Sequence, residues 1–278
     1  MNKLNLKSFA KINIGLNILS KRDDGFHNLE TIFFPIKLYD ELLIEKSDKF
    51  LFSSNDVLLN NDKSNLIIRS HQMLEKYFDR KFGVKISLTK KIPIGAGLGG
   101  GSSNAAATLN GIISLFKLSI PQSDLNEIAL SLGSDVPFFL NPVPSFAQSR
   151  GEILTPVNLQ INKYLLIVNP GIHISTKWAF GLIKPENPVL SLKSILNKNS
   201  IQIDDLLFAK NDFEKIVFEN YDEIKEIKMK MLKFDSVFSL MTGTGSTVWG
   251  FFEDEEAAHQ AELYFKCKNY FTYLQSPI

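Results

Sequence analysis

The stretch KKIPIGAGLGGGSSNAAATLNGIISLF, residues 90–116, decides how the rest of the chain is read. Before it, Val84, Ile86 and Leu88 alternate with Lys85, Ser87 and Thr89, the period-two pattern of a strand with one wet face. Pro93 ends that strand, because proline has no N–H to give to a ladder. After the glycines, Ala106, Leu109, Ile113 and Phe116 recur every three or four residues, the apolar stripe of a helix. Ser102 or Ser103 is the expected N-cap, since a hydroxyl can accept from the first unpaired N–H groups of a helix. Glycines let N–H groups approach a ligand closely, and a helix N-terminus carries roughly half a positive charge. The segment therefore reads as a phosphate cradle and not as a flexible linker.

Two common cradles do not fit it. Gly95, Gly97 and Gly100 spell G-x-G-x-x-G, the dinucleotide fingerprint. The strand before them alternates, however, whereas the first strand of a doubly wound sheet is apolar on both faces. Its helix also leads to another helix and not to a second parallel strand with an acidic end. A Walker A loop needs lysine where Gly101 stands.

Outward from the cradle, residues 123–132 read as a helix. Asp124 and Glu127 lie early in it, Leu125, Ile128, Ala129 and Leu132 share a face, and Gly133 stops it. In residues 9–19, Ile12, Ile14, Leu16 and Ile18 share one face of a strand, and Lys11, Asn13 and Asn17 the other. A polar stretch holding Ser53, Ser54, Asn55, Asn60, Asn61 and Asp62 reads as a loop. A composition shift near residues 150–158 suggests a boundary, giving domains of residues 1–155 and 156–278. The second half reads as α+β: a buried strand at residues 164–168, a charged helix at 221–234, a glycine-broken strand pair through MTGTGSTVWGFF, a helix at 255–266 and a strand near Tyr270.

The 278 residues are nearly twice the roughly 150 of an average domain. A 44% hydrophobic content with 22% charged residues is that of a folded globular chain. A net charge of +1 offers no electrostatic footprint for nucleic acid or an anionic membrane. Cys267 is the single cysteine, so no internal disulfide forms, and no histidine pair has zinc-ligand spacing. No apolar run approaches the ~20 residues needed to cross a bilayer. The opening MNKLNLKSFAKINIG lacks an apolar signal core, so a cytoplasmic setting is expected.

PIGAGLGGGSSNAAA resembles the phosphate-binding motif of the GHMP small-molecule kinases (galactokinase, homoserine kinase, mevalonate kinase, phosphomevalonate kinase). AKINIGLNI is similar to the first motif of that family and MTGTGSTVWGFF to its third. AKINIGLNILSKRDDGFHNLETIF, LGSDVPFF and GIHISTKWAF resemble the branch whose acceptor is a cytidine diphosphate-linked methylerythritol. The likeness spans nearly the whole chain in matching order. It implies a two-domain α+β architecture: an ATP-binding N-terminal domain like domain 2 of ribosomal protein S5, a ferredoxin-like C-terminal domain, and an active site in the cleft between them.

Carried over by position, the resemblance makes Lys11 and Asp135 the catalytic pair, with Asn13 beside them at the substrate. Pro93, Gly95, Gly97, Leu98, Gly99, Gly100, Gly101, Ser102 and Ser103 would hold the ATP phosphates, with Lys90 nearby. The Ser103 hydroxyl would serve Mg²⁺ that arrives with the nucleotide, and the protein itself would hold no metal. Phe26, His27, Thr176 and Phe180 match positions around the cytosine; stacking on two aromatic faces suits a pyrimidine. Phe26 stands where tyrosine is expected, and core packing is the plain alternative for it. His71 and His259 read as surface or core residues, and His173 as a possible neighbour of the substrate. Gly243 and Gly245 either admit a phosphate or simply allow a tight strand connection. The implied activity is phosphorylation of that acceptor by a monomer or homodimer. The alternatives are a mevalonate, phosphomevalonate or homoserine acceptor, or a nucleotide-binding module without transfer.

Overall fold

The alternation around Ile12 and Ile14 belongs to a strand longer than its pattern outlines. In the computed structural model, which describes residues 2–60 and 62–277, β1 runs Lys3–Lys21 and pairs with β2, His27–Lys46. Readings that fall on Met1, Asn61 and Ile278, namely one residue of the polar stretch and the outer ends of the two domain ranges, lie outside the described residues. Two compact units are present: residues 1–10, 36–94 and 99–142 form one, and residues 11–35, 95–98 and 143–278 the other. Both long strands and the glycine loop contribute to each, so the units are discontinuous in sequence, unlike a single cut after residue 155.

In the first unit, β2 is followed by β3 (Leu51–Ser54), α1 (Val57–Asn60), α2 (Leu66–Tyr77), β4 (Val84–Thr89), α3 (Gly100–Phe116), α4 (Gln122–Leu132) and α5 (Val136–Leu140). β4 pairs antiparallel with β2 and parallel with β3. Its alternation is realised: Val84, Ile86 and Leu88 are buried while Lys85 and Thr89 face out. α3 buries Ala105, Ala106, Leu109, Ile112 and Leu115, a face rotated slightly from the expected stripe, since Ile113 and Phe116 are only partly covered. Gly111 permits this close seating, because a Cβ there would lie 2.5 Å from Ile44 Cδ1. The polar stretch is not a plain loop. The Asn60 carboxamide accepts from Ser54 N at 2.7 Å and donates to Ser54 O at 3.1 Å, folding the one-turn α1 back on β3. Side-chain bonds to backbone of this kind leave no periodicity to read.

The second unit adds β5 (Ser145–Ser149), β6 (Ile153–Pro156), β7 (Leu159–Gln160), β8 (Tyr164–Asn169), α6 (Thr176–Leu182), β9 (Ile201–Gln202), α7 (Phe213–Asn220), α8 (Asp222–Lys233), β10 (Phe238–Met241), β11 (Val248–Phe252), α9 (Glu255–Cys267) and β12 (Phe271–Gln275). β10, β11, β8 and β12 lie in that order in one antiparallel sheet. With α8 before β10 and α9 before β12, this is the β-α-β-β-α-β order of a ferredoxin-like domain. Ile224, Ile227 and Met231 of α8 and Ala258, Ala261 and Phe265 of α9 close its core with Leu166 and Val168. Acidic residues begin α8 and lysines end it, the arrangement that suits the helix dipole. Among the described residues no helix is long and apolar enough to cross a membrane.

Asn211, which the sequence does not single out, pins this unit. Its Nδ2 donates to Met241 O at 2.7 Å and Gly243 O at 2.9 Å, and its Oδ1 accepts from Phe213 N at 3.0 Å. Asn211→Ala strands buried backbone groups that each cost about 1–3 kcal/mol. It should lower the denaturant midpoint by an amount equivalent to at least about 2 kcal/mol.

Candidate active site

The first half of the glycine loop, Gly95–Leu98, belongs to the second unit, and the polar face of β1 meets it there. Lys11 N donates to Leu98 O at 3.0 Å, and Lys11 Nζ donates to Gly97 O at 3.0 Å and to Asn13 Oδ1 at 2.6 Å. The ammonium also lies 5.2 Å from the Phe33 ring centre. Both faces of β1 are buried here, and Lys11 is 3% exposed, so this is not a solvated strand lysine.

Asn13 gathers more partners than its expected place beside the substrate foretells. Its Nδ2 donates to Thr31 Oγ1 at 2.9 Å, and its Oδ1 accepts from Gly243 N at 3.0 Å as well as from Lys11. Its backbone N donates to Thr242 Oγ1 at 3.0 Å, and its carbonyl accepts from Trp249 Nε1 at 3.2 Å. Thr242 Oγ1 lies 3.1 Å from both Asn13 Oδ1 and Gly97 O, so its single proton is divided between them. Asn13 is thus 3% exposed and fully committed within the protein. Gly97 runs backbone to backbone against residues 242–245: it has φ +77°, and a Cβ on it would sit 2.2 Å from Thr242 O. Gly243 therefore serves a close approach to the cradle loop as well as a strand connection, whereas a Cβ on Gly245 would meet Met241 and Ile174. A Cβ on Gly95 would lie 2.9 Å from His173 Nδ1, which puts that histidine against the loop.

The expected aromatic group is only partly assembled. His27 and Phe180 meet with ring centres 5.2 Å apart, and Phe180 rests edge-on against Phe213 at 4.8 Å. Burial, followed by the charge of Lys21, holds the His27 imidazole below its ordinary value. Phe26 is 47% exposed, which removes the core-packing alternative, and its ring carries the Arg150 guanidinium 4.0 Å above it. Thr176 is exposed, with Oγ1 3.4 Å from Thr244 Oγ1. His71 is a core residue that stacks on Phe50 and reaches Phe82 O at 2.7 Å, while His259 lies exposed on α9.

The second half of the loop, with α3, belongs to the first unit. Here the expected cap is displaced. Gly99, not Ser102 or Ser103, is the N-cap of α3, with φ 72° and no capping side chain. Glycine takes that left-handed position without a Cβ penalty, so the serines fall inside the first turn. The helix-start N–H groups are thus left without a side-chain cap, a donor set that fits an anionic phosphate. The Ser103 hydroxyl is turned inward, accepting from Ser8 Oγ at 2.7 Å, and Ser103 is buried. The Lys90 side chain is largely covered, its ammonium bonded to the Asp40 carboxylate. Burial holds the Lys90 pKa down, and Asp40 partly restores it. Gly101 is open to solvent, Gly100 is buried and Pro93 is half-buried. Asp135 directly precedes α5, in which Val136, Phe138 and Phe139 are buried. Among the described residues no three His, Cys, Asp or Glu side chains gather as a metal site.

Family models described as GHMP kinases N terminal domain and GHMP kinases C terminal match residues 65–141 and 191–271. A protein of Chlorobium phaeobacteroides named 4-diphosphocytidyl-2-C-methyl-D-erythritol kinase is 40% identical over 271 residues, covering 96% of this chain and 95% of that one. The chain belongs to the GHMP kinases. A Bacteroides fragilis protein of the same name is 41% identical over 253 residues, 89% of this chain and 91% of its own. The crystal structure of a 4-(cytidine 5'-diphospho)-2C-methyl-D-erythritol kinase superposes with TM-score 0.82 at 30% identity, covering 98% of both chains. The two-domain GHMP kinase architecture implied by the sequence is therefore present. Homoserine kinase from Cytophaga hutchinsonii shares the fold, with TM-score 0.69 at 18% identity over 100% of this chain and 95% of its own.

In this GHMP kinase, Gly97→Ala cannot be accommodated without moving backbone. It should cost roughly 1–3 kcal/mol in the denaturant midpoint, since both the left-handed φ and the contact with Thr242 oppose it.

Proposed function

We propose that this chain transfers the γ-phosphoryl group of ATP to the 2-hydroxyl of 4-diphosphocytidyl-2-C-methyl-D-erythritol. The observation that carries the reading is near-full-length likeness, at 36–41% identity, to kinases of that name. The buried Lys11, the uncapped start of α3 and the His27–Phe180 contact support it.

GHMP kinases use ATP as phosphate donor, and residues 93–103 receive its phosphates on backbone N–H groups at a positive helix end. Mg²⁺ carried in with the nucleotide would supply charge neutralisation of the phosphates, with the Ser103 hydroxyl as its protein neighbour. The protein's share of the chemistry is positioning and charge stabilisation. Asp135 takes the proton from the acceptor hydroxyl, and Lys11 offsets the charge of the transferring group. Asn13 acts through Lys11, whose ammonium it fixes. His27, neutral at ordinary pH, gives one hydrogen bond and accepts another at the cytosine, whose faces Phe26 and Phe180 cover, with Thr176 at the margin. Residues 1–155 then supply the ATP cradle, and residues 156–278 complete the acceptor site.

ADP release is measured with the cytidylated acceptor, mevalonate and homoserine offered separately, and release with the first alone is expected. Release only with mevalonate or homoserine would overturn the acceptor assignment, and nucleotide binding with no release would leave a binding module. Asp135→Asn and Lys11→Ala should each lower turnover at least ~10²-fold with ATP affinity kept, and near-normal activity in both would reject their roles.

The lowered His27 pKa gives a pH test. A histidine depressed on folding contributes stability that is complete above its unfolded value of 6.5 and is lost as pH falls through the folded one. Protonation of folded His27, which comes below 6.5, removes its acceptor nitrogen, so acceptor KM should be flat from neutral pH upward and rise on acidification. A His27→Gln variant should lack that rise.

A further inference from the structure

Asp40, on β2, is a fully buried carboxylate that neither the glycine motif nor the proposed chemistry explains. Oδ1 accepts from Lys91 N at 2.7 Å and Ile92 N at 2.8 Å, the last residues before the cradle loop. Oδ2 accepts from Lys90 Nζ and from Asn104 Nδ2, the latter at 2.9 Å. Asn104 lies in the first turns of α3, and its Nδ2 also donates to Ser8 Oγ at 2.9 Å, which in turn donates to Ser103 Oγ. The Lys90 ammonium is held directly beneath the helix start, where a Cβ on Gly100 would come within 2.8 Å of it. One carboxylate thus grips the strand end that enters the loop and the helix turn that leaves it.

A carboxylate suits this place for a physical reason. The first turn of α3 carries a partial positive charge of its own, and Lys90 adds a buried ammonium beside it. Without Asp40 these would repel each other and the helix would tend to move away. With Asp40 the lysine ammonium stays beside Gly100 at the helix start, which carries no side-chain cap. Lys90, expected at the phosphates, then acts from behind the loop.

We propose that Asp40 is a positioning residue for nucleotide binding, setting the phosphate loop by fixing residues 90–92 and Asn104 in one arrangement. The proposal rests on the ATP reading given above. It assigns Asp40 an effect on the nucleotide, because its partners are residues 90–92 at the entry to the loop and Asn104 of α3.

The test measures affinity for a non-hydrolysable Mg·ATP analogue by calorimetry, together with steady-state KM for ATP and for the cytidylated acceptor. Asp40→Asn keeps the side-chain volume and an acceptor for Lys91 and Ile92 but removes the charge that Lys90 needs. It should weaken analogue binding and raise KM for ATP by at least about tenfold, with acceptor KM within about twofold. Should that variant unfold, the double change Asp40→Asn/Lys90→Met is used. It leaves no unpaired buried charge, so it should fold and should still bind the analogue weakly. Wild-type nucleotide affinity in either folded variant would overturn the proposal. So would equal rises in both KM values, the mark of a merely structural residue. Weakened analogue binding in a protein whose wild type does not phosphorylate the acceptor would sustain the clamp and sink the acceptor reading. A wild type that binds no analogue would overturn both.

Discussion

The carboxamide of Asn13 is the constraint on which the second unit's part of the site depends. Its two ends and its backbone reach β2 at Thr31, the loop at Gly243 and Thr242, the buried Trp249 and the Lys11 ammonium. A buried polar network of this kind is costly when any member lacks a partner and strongly ordering when all are satisfied. The partners of Asn13 come from segments as far as 236 residues away, so satisfying it draws the AKINIGLNI and MTGTGST motifs together. Lys11 and Thr242 both reach Gly97 O, and the cradle loop is thereby drawn into the same network.

The glycines can be understood from that network. Gly97 has no room for a Cβ against Thr242 O and one on Gly243 would crowd Gly97 Cα at 3.2 Å, while Gly99 bends into α3 in a left-handed conformation. Each is required by backbone geometry whether or not a nucleotide is present. The resulting helix start carries no side-chain cap, so its N–H groups remain available to an anion. In the first unit a second network, built on Asp40, underlies the same loop. Two buried charges, Lys11 in one unit and Lys90 in the other, each have polar partners close enough to offset the cost of burial.

Periodic elements could be read from the sequence: the alternation of β4, the stripe of α4, the charged α8 and the strand pair through MTGTGSTVWGFF all occur close to their expected bounds. What remained hidden depends on distant partners. The polar face of β1 looks wet locally and is dry because Thr31, Glu30 and Thr242 meet it. Asn17 is buried against Glu30, which also accepts from Ser191 Oγ and Leu192 N. Ser103 has the chemistry of a cap, yet Gly99 precedes it and moves the helix start upstream. Lys90 looks free for a phosphate because nothing local announces Asp40, fifty residues earlier. Phe26 stands out by its type, but its Arg150 neighbour comes from beyond β5.

Phosphoryl transfer to one defined oxygen is the claim that most directly carries the account, and ³¹P NMR of the protein with Mg·ATP and 4-diphosphocytidyl-2-C-methyl-D-erythritol tests it. The account predicts loss of the ATP γ-signal matched one for one by ADP and a new phosphomonoester signal on the acceptor, with its diphosphate intact. ADP accompanied only by inorganic phosphate, or an unchanged ATP spectrum in the presence of acceptor, would contradict it.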